Sequence, residues 1–209
     1  EYENDKFCEY ATLINRMKQV SEKAGIHEYE GNILLLAGMA RQLKAYYQQE
    51  DLDDGIWFQS MSDLKYKVLE CKEVFGIWGI ARPLWFEGFF NMTRFGLNRL
   101  QFELVPLRLP YQKEGFSLQE GIQVINVHIP RSGVRLYKEI VDASYKEAAL
   151  FFKERYGLKQ IVFVCDSWLL YPKNLEVLSP GSNLYSFITD YDIVKCGEYQ
   201  DYEQVWRLF

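Results

Sequence analysis

The stretch from Gly121 to Ser167 constrains the fold more than any other part of the chain. It predicts a strand over residues 122–129, a short loop over 130–135, a helix over 136–156 and a second strand over 160–165. Along the helix Tyr137, Val141, Ser144, Ala148 and Phe152 recur at the three-and-four spacing of one helical face, and Gly157 supplies the stop. The run Ile161-Val162-Phe163-Val164-Cys165 is short, β-branched and continuously apolar, as a strand covered on both faces must be. Two such strands joined by a helix imply a parallel, right-handed crossover. A loop and a helix N-terminus then lie at the carboxyl end of a buried strand, where backbone N–H groups can hold an anion or a polar substrate.

Ahead of this unit the chain reads as helical. A first helix is expected over residues 4–24, with Phe7, Tyr10, Ile14 and Met17 on one face and Gly25 as its end. A second fits 29–49, where Ile33, Leu36, Ala40, Leu43 and Tyr47 form a stripe that Leu34, Leu35 and Met39 widen. Residues 50–55 read as an acidic turn, and a third helix over 62–75 would be capped by Ser62 and stopped by Gly76. The aromatic-rich segment 77–95 reads as a connector with a short helix; its Trp78, Trp85, Phe86, Phe89 and Phe90 serve either as core or as the wall of an apolar pocket. Residues 99–105 alternate cleanly and predict a strand that could pair antiparallel with 122–129. Past Pro172 a short helix is expected over 173–178, a strand over 184–194 and a last strand over 199–208. The domains are expected to be 1–78, a helical N-terminal subdomain, and 79–209, a mixed sheet with its crossover helix.

Composition excludes several functions. A net charge of −5 lacks the basic footprint of nucleic-acid binding. Cys8, Cys71, Cys165 and Cys196 have no metal-ligand spacing, and only His27 and His128 could assist them, so no metal is expected. They read as reduced thiols of a cytoplasmic protein, and neither a signal peptide nor an apolar run long enough to cross a membrane is visible. Walker A, GxGxxG and GxSxG patterns are lacking, which removes the usual nucleotide and nucleophile-elbow readings.

Two sets of residues could carry chemistry: the loop Arg131-Ser132-Gly133, and Glu103, His128, Cys165 and Ser167 at the strand ends. Glu103 or His128 could accept a proton from an amine or hydroxyl, and a hydroxyl or thiol could return one. The structural alternatives are a hydrogen-bonded core histidine and an inert buried thiol. Asp166, next to Cys165, would raise that thiol's pKa and so weakens a thiol-hydrolase reading in which Cys165 works with His128.

At these residues the sequence resembles the GNAT-like C-terminal domain of bacterial acyltransferase-domain proteins, whose members carry a helical N-acyltransferase segment at the N-terminus. The matching pieces are Arg99-Leu100-Gln101-Phe102-Glu103, His128-Ile129-Pro130 with Gly133 and Leu136, then Ser144, Ala148 and Phe151-Phe152. Cys165, Ser167-Trp168-Leu169-Leu170, Pro172, Ser182-Asn183 and Phe187 follow in order. The resemblance implies an α+β, GNAT-like mixed sheet that admits acyl-CoA or acetyl-CoA, with the pyrophosphate on the loop before the crossover helix. It implies acyl transfer from acyl-CoA or an acyl carrier thioester to an amine or hydroxyl, so the partners are a small-molecule donor and acceptor, with neither nucleic acid nor membrane.

In that reading Glu103 or His128 is the base, Ser167 or Tyr171 protonates the leaving thiolate, and Arg131, Ser132, Gly133 and Val134 contact the cofactor. Aligned on the phosphate loop of ordinary GNATs, Gln/Arg-x-x-Gly-x-Gly/Ala, Arg131 takes the first position and Val134 and Leu136 fall where small residues belong. Side chains there obstruct the approach of backbone N–H groups to phosphate. That departure supports an alternative, a non-catalytic module that binds a ligand or partner on a degenerate GNAT fold.

Overall fold

The computed structural model describes residues 9–197, which divide into two compact units. The first comprises the chain up to Glu103 together with Ile129–Val134; the second comprises Leu104–His128 and the chain from Arg135 onward. Residues 4–8 of the first expected helix and the expected strand over 199–208 lie outside the described residues.

Three helices build most of the first unit. Helix α1, Tyr10–Ala24, ends where Gly25 turns left-handed at φ 69°, a conformation glycine adopts without a Cβ clash. Helix α2, Glu28–Gln49, starts from a reciprocal cap: His27 Nδ1 accepts from the Tyr29 N–H while Glu30 accepts from the His27 N–H. Leu36, Leu43 and Tyr47 of its stripe are fully buried, whereas Leu34, expected to widen that stripe, is 65% exposed. Helix α3, Asp54–Phe75, begins eight residues before the expected start. Asp53, read as part of an acidic turn, is the cap, its carboxylate accepting from the Gly55 N–H at 2.7 Å. Ser62 lies mid-helix and bonds back to the Phe58 carbonyl.

The segment after α3 is more ordered than a connector. A 3₁₀ turn at Pro83–Phe86 leads into the single-turn helix α4, Glu87–Phe90, and then strand β1, Arg94–Leu97, which sequence patterning does not reveal. All four β1 residues are buried, so no alternation marks it. Phe86, Phe89 and Phe90 are core, whereas Trp78 is 56% exposed. A two-residue turn, Asn98-Arg99, joins β1 to β2, Leu100–Pro106; the strands pair antiparallel with Arg94 opposite Glu103 and Gly96 opposite Gln101. Asn98 takes φ 56°, which Asn tolerates in tight turns.

Strand β2 runs past Glu103 into the second unit, where β5 follows it in strand order. Between them lies a hairpin of β3, Tyr111–Lys113, and β4, Phe116–Leu118. Strand β5, Gln123–His128, pairs parallel with β6, Phe163–Val164, at Ile125↔Phe163 and Asn126↔Val164. Helix α5, Lys138–Tyr156, connects them and buries Val141, Ser144, Ala148 and Phe152, so the parallel crossover is present. Helix α6, Asn174–Val177, is the short helix expected after Pro172.

The expected strand over 184–194 is instead helical, α7, Asn183–Thr189. Ser182 accepts from the Tyr185 N–H, and Phe187 with Ile188 forms the buried edge, so the cap and a helical apolar pair override the β-forming composition. Among the described residues no helix is long and apolar enough to cross a membrane.

Strand β1 lies against the backbone of α3 at Gly96, whose N–H donates to Ser60 Oγ at 2.8 Å. A Cβ at Gly96 would fall 2.8 Å from Gln59 C and Ser60 N, both main-chain atoms that cannot swing aside. Gly96→Ala is therefore expected to destabilise the protein by about 1–3 kcal/mol, the usual cost of overpacking. Urea unfolding would measure it, and an unchanged midpoint would show that this approach is not tight.

Candidate functional site

In the first unit Glu103 belongs to a buried polar network. Its Oε2 accepts from Arg94 Nη2 at 2.8 Å, and both side chains are largely buried, at 16% and 9% exposed. Arg94 also donates through Nη1 to the Trp85 carbonyl at 2.6 Å, and its guanidinium lies 4.1 Å from the Trp85 ring centroid. The indole N–H of Trp85 donates to Asp63 Oδ2, while Gln101 Nε2 donates to Asp63 Oδ1. Buried charges persist when paired and hydrogen-bonded in this way. Gly88 completes the seat, because a Cβ there would lie 2.5 Å from Glu103 Oε1.

The loop 130–134 also folds with the first unit. Arg99, in the β1–β2 turn and buried, donates from Nε to the Val134 carbonyl at 2.8 Å and from Nη1 to the Pro130 carbonyl at 3.0 Å. Burial pushes the Arg99 guanidinium below its ordinary value, yet arginine stays charged in proteins. Gly133 takes φ 78°, the left-handed conformation the loop needs in order to turn. Ser132 Oγ accepts from the Val134 N–H at 3.4 Å. Arg131 reaches α3, where Nη2 bonds Glu73 Oε1 at 3.0 Å and Nη1 bonds Oε2. That hydrogen bond raises the Arg131 pKa and holds Glu73 below the usual carboxylate range. The pair is exposed and screened, so it contributes little to stability.

In the second unit His128 ends β5, with its Nε2 3.4 Å from Asn126 Nδ2. Asn126 Oδ1 in turn accepts from the Asp166 N–H, just beyond β6. Cys165 donates its thiol proton to the Val127 carbonyl. Ser167 caps the 3₁₀ turn Trp168–Leu170 by accepting from the Leu169 N–H at 3.3 Å, which leaves its O–H as a donor, and Tyr171 closes the turn. The hydroxyls of Tyr145 and Tyr191 meet at 2.6 Å, and burial raises the pKa of both. Among the described residues no three His, Cys, Asp or Glu side chains gather as a metal site.

The expected site residues thus occupy both units, with Glu103 and Arg131 to Val134 in the first and His128, Ser167 and Tyr171 in the second. Within the first unit Glu103 and Arg131 have different partners, Arg94 and Glu73. Sequence reasoning missed Arg94, Gly88, Glu73 and the reach of Arg99. The polar dipeptide Asn98-Arg99 was the available signal: read as a hairpin turn, it sets Arg94 opposite Glu103 by register alone.

Burial, then the neighbouring Asp166, pushes the Cys165 thiol up to about 12, so at pH 7.5 almost none of it is thiolate. Iodoacetamide should therefore alkylate exposed Cys196 at least ~10-fold faster than Cys165 at that pH. Peptide mass spectrometry would follow both, and equal rates would make Cys165 a reactive thiol.

Two family models match the chain, an N-acyltransferase N-terminal domain over residues 6–92 and a GNAT-like C-terminal domain over residues 93–209. No sequence among curated proteins matches. Several solved structures share the fold. One is an acyltransferase in complex with decanoyl-CoA and teicoplanin, another a mutant acyltransferase with octanoyl-CoA, and a third an acyltransferase with CoA and 10C-teicoplanin. Each is 18% identical with a TM-score of 0.70 and covers 82% of this chain. The chain spans 50% of the length of each.

Proposed function

The chain belongs to the family defined by the GNAT-like C-terminal domain, and on that premise we propose that it transfers an acyl group from acyl-CoA to an amine or hydroxyl. An acyl carrier thioester is the other donor of the same chemistry. The observation that carries this reading is the exposed loop Arg131 to Val134, whose shape is set from within by Arg99. Carbonyl oxygens repel phosphate, and here the Pro130 and Val134 carbonyls are bound to a buried cation. Arg131, exposed and paired with Glu73, places a guanidinium at the surface of the loop. These features fit a phosphate-bearing ligand despite the side chain on Val134. The acyltransferases described above share this fold and are in complex with decanoyl-CoA, octanoyl-CoA or CoA.

In the proposed reaction Glu103 or His128 takes the proton from the acceptor as its nitrogen or oxygen attacks the thioester carbonyl. The carbon–sulfur bond then breaks, and Ser167 or Tyr171 protonates the departing thiolate. Arg94 and Gly88 hold the Glu103 carboxylate, and Asn126 orients the His128 ring. The non-catalytic alternative is favoured by one feature, that Arg94 engages Glu103 Oε2 while Gly88 closes on Oε1.

Thiol release from acyl-CoA in the presence of amine and alcohol acceptors separates the two. Glu103→Gln or His128→Ala should lower kcat by about 10²-fold or more, the range of general acid–base catalysis. Both variants turning over at the unsubstituted rate would exclude the proposed bases. No release by the unsubstituted protein with any acyl-CoA or carrier thioester would favour the binding module.

A further inference from the structure

Arg99 is an unusual residue to find in a hairpin turn. Its neighbour Asn98 is exposed, as turn residues usually are, but Arg99 is turned inward and only 9% exposed. Taking a guanidinium out of water is costly unless its donors are satisfied, and two of them go to main-chain carbonyls 31 and 35 residues away, those of Pro130 and Val134. The two bonds leave from the adjacent Nε and Nη1 of one planar group, so they fix a spacing and an angle as well as a distance. Between the bracketed carbonyls lie only Arg131, Ser132 and Gly133. Gly133 is left-handed, and the Ser132 N–H is bonded to Pro130.

From this we infer that Arg99 is a positioning residue: its fork sets the backbone shape of the loop 130–134, and through that shape the loop's affinity for its ligand. Lysine would not substitute fully, because an ammonium is a point charge without the planar fork. Arg131 and Glu73 make a second, outer tie on the same loop, but it is exposed and joins two side chains. The inference rests on the proposed role of this loop in holding acyl-CoA for its ligand arm, and not for its backbone arm.

The two arms are measured separately. Amide hydrogen exchange of the ligand-free protein reads the backbone: Arg99→Met and Arg99→Lys should each speed exchange in the peptide spanning 130–135 by about tenfold or more, while α2 and α5 exchange as before. Arg99→Lys, which keeps the charge, serves if Arg99→Met does not fold, and methylguanidinium added to a foldable Arg99→Ala should restore slow exchange. In the transfer assay the same variants should raise KM for acyl-CoA at least tenfold with kcat changed less than threefold. Unchanged exchange in 130–135 would overturn the inference, and so would faster exchange with an unchanged KM. If the unsubstituted protein neither binds nor turns over acyl-CoA, the proposed function fails, and the exchange result still decides whether Arg99 shapes the loop.

Discussion

The first unit depends on the closeness of a strand to a helix. Because Gly96 has no side chain, the backbone of β1 reaches the backbone of α3 and bonds Ser60 Oγ there. Register then puts Arg94 opposite Glu103 and Gly96 opposite Gln101, so the polar side chains of both strands share the face toward α3. Asp63 of α3 answers with a carboxylate that accepts from Trp85 and Gln101. Moving β1 outward by even one methyl group would pull this network apart. Its members depend on one another, while Arg94 Nε and Gln101 Oε1 are buried without a hydrogen-bond partner.

A second consequence concerns the loop after β5. Its flanking strand and helix lie in the second unit, yet residues 129–134 fold with the first. Arg99 explains how: a cation from the β1–β2 turn binds carbonyls at both ends of the loop, and Arg131 fastens its outer side to Glu73. The loop therefore inherits its shape from a hairpin far away in sequence. The Val134 side chain is half exposed, while the Val134 carbonyl faces Arg99.

Much of the architecture was legible in the sequence because it rests on periodicity and stops. The β5–α5–β6 crossover follows from an apolar run and a helical stripe, and α1 and α2 end close to their expected positions. What was missed has local physical causes. Strand β1 is buried at all four positions and shows no alternation, and α3 begins under an acidic cap that looks like a solvated turn. Helix α7 carries strand-forming residues, and its state is decided by Ser182 and by burial of Phe187 and Ile188. The candidate site shared the fate of β1: Glu103 was visible as a carboxylate on a strand, but its partner Arg94 became apparent only through the register of a strand that composition conceals.

The proposed acyl transfer requires that the chain hold a CoA thioester. Isothermal titration calorimetry with decanoyl-CoA, acetyl-CoA and free CoA tests it most directly, without an assumed acceptor. Saturable 1:1 binding of at least one thioester is expected, weakened at high salt because part of the affinity comes from an exposed arginine. Absence of heat with all three ligands at millimolar concentration, from protein shown to be folded, would contradict it.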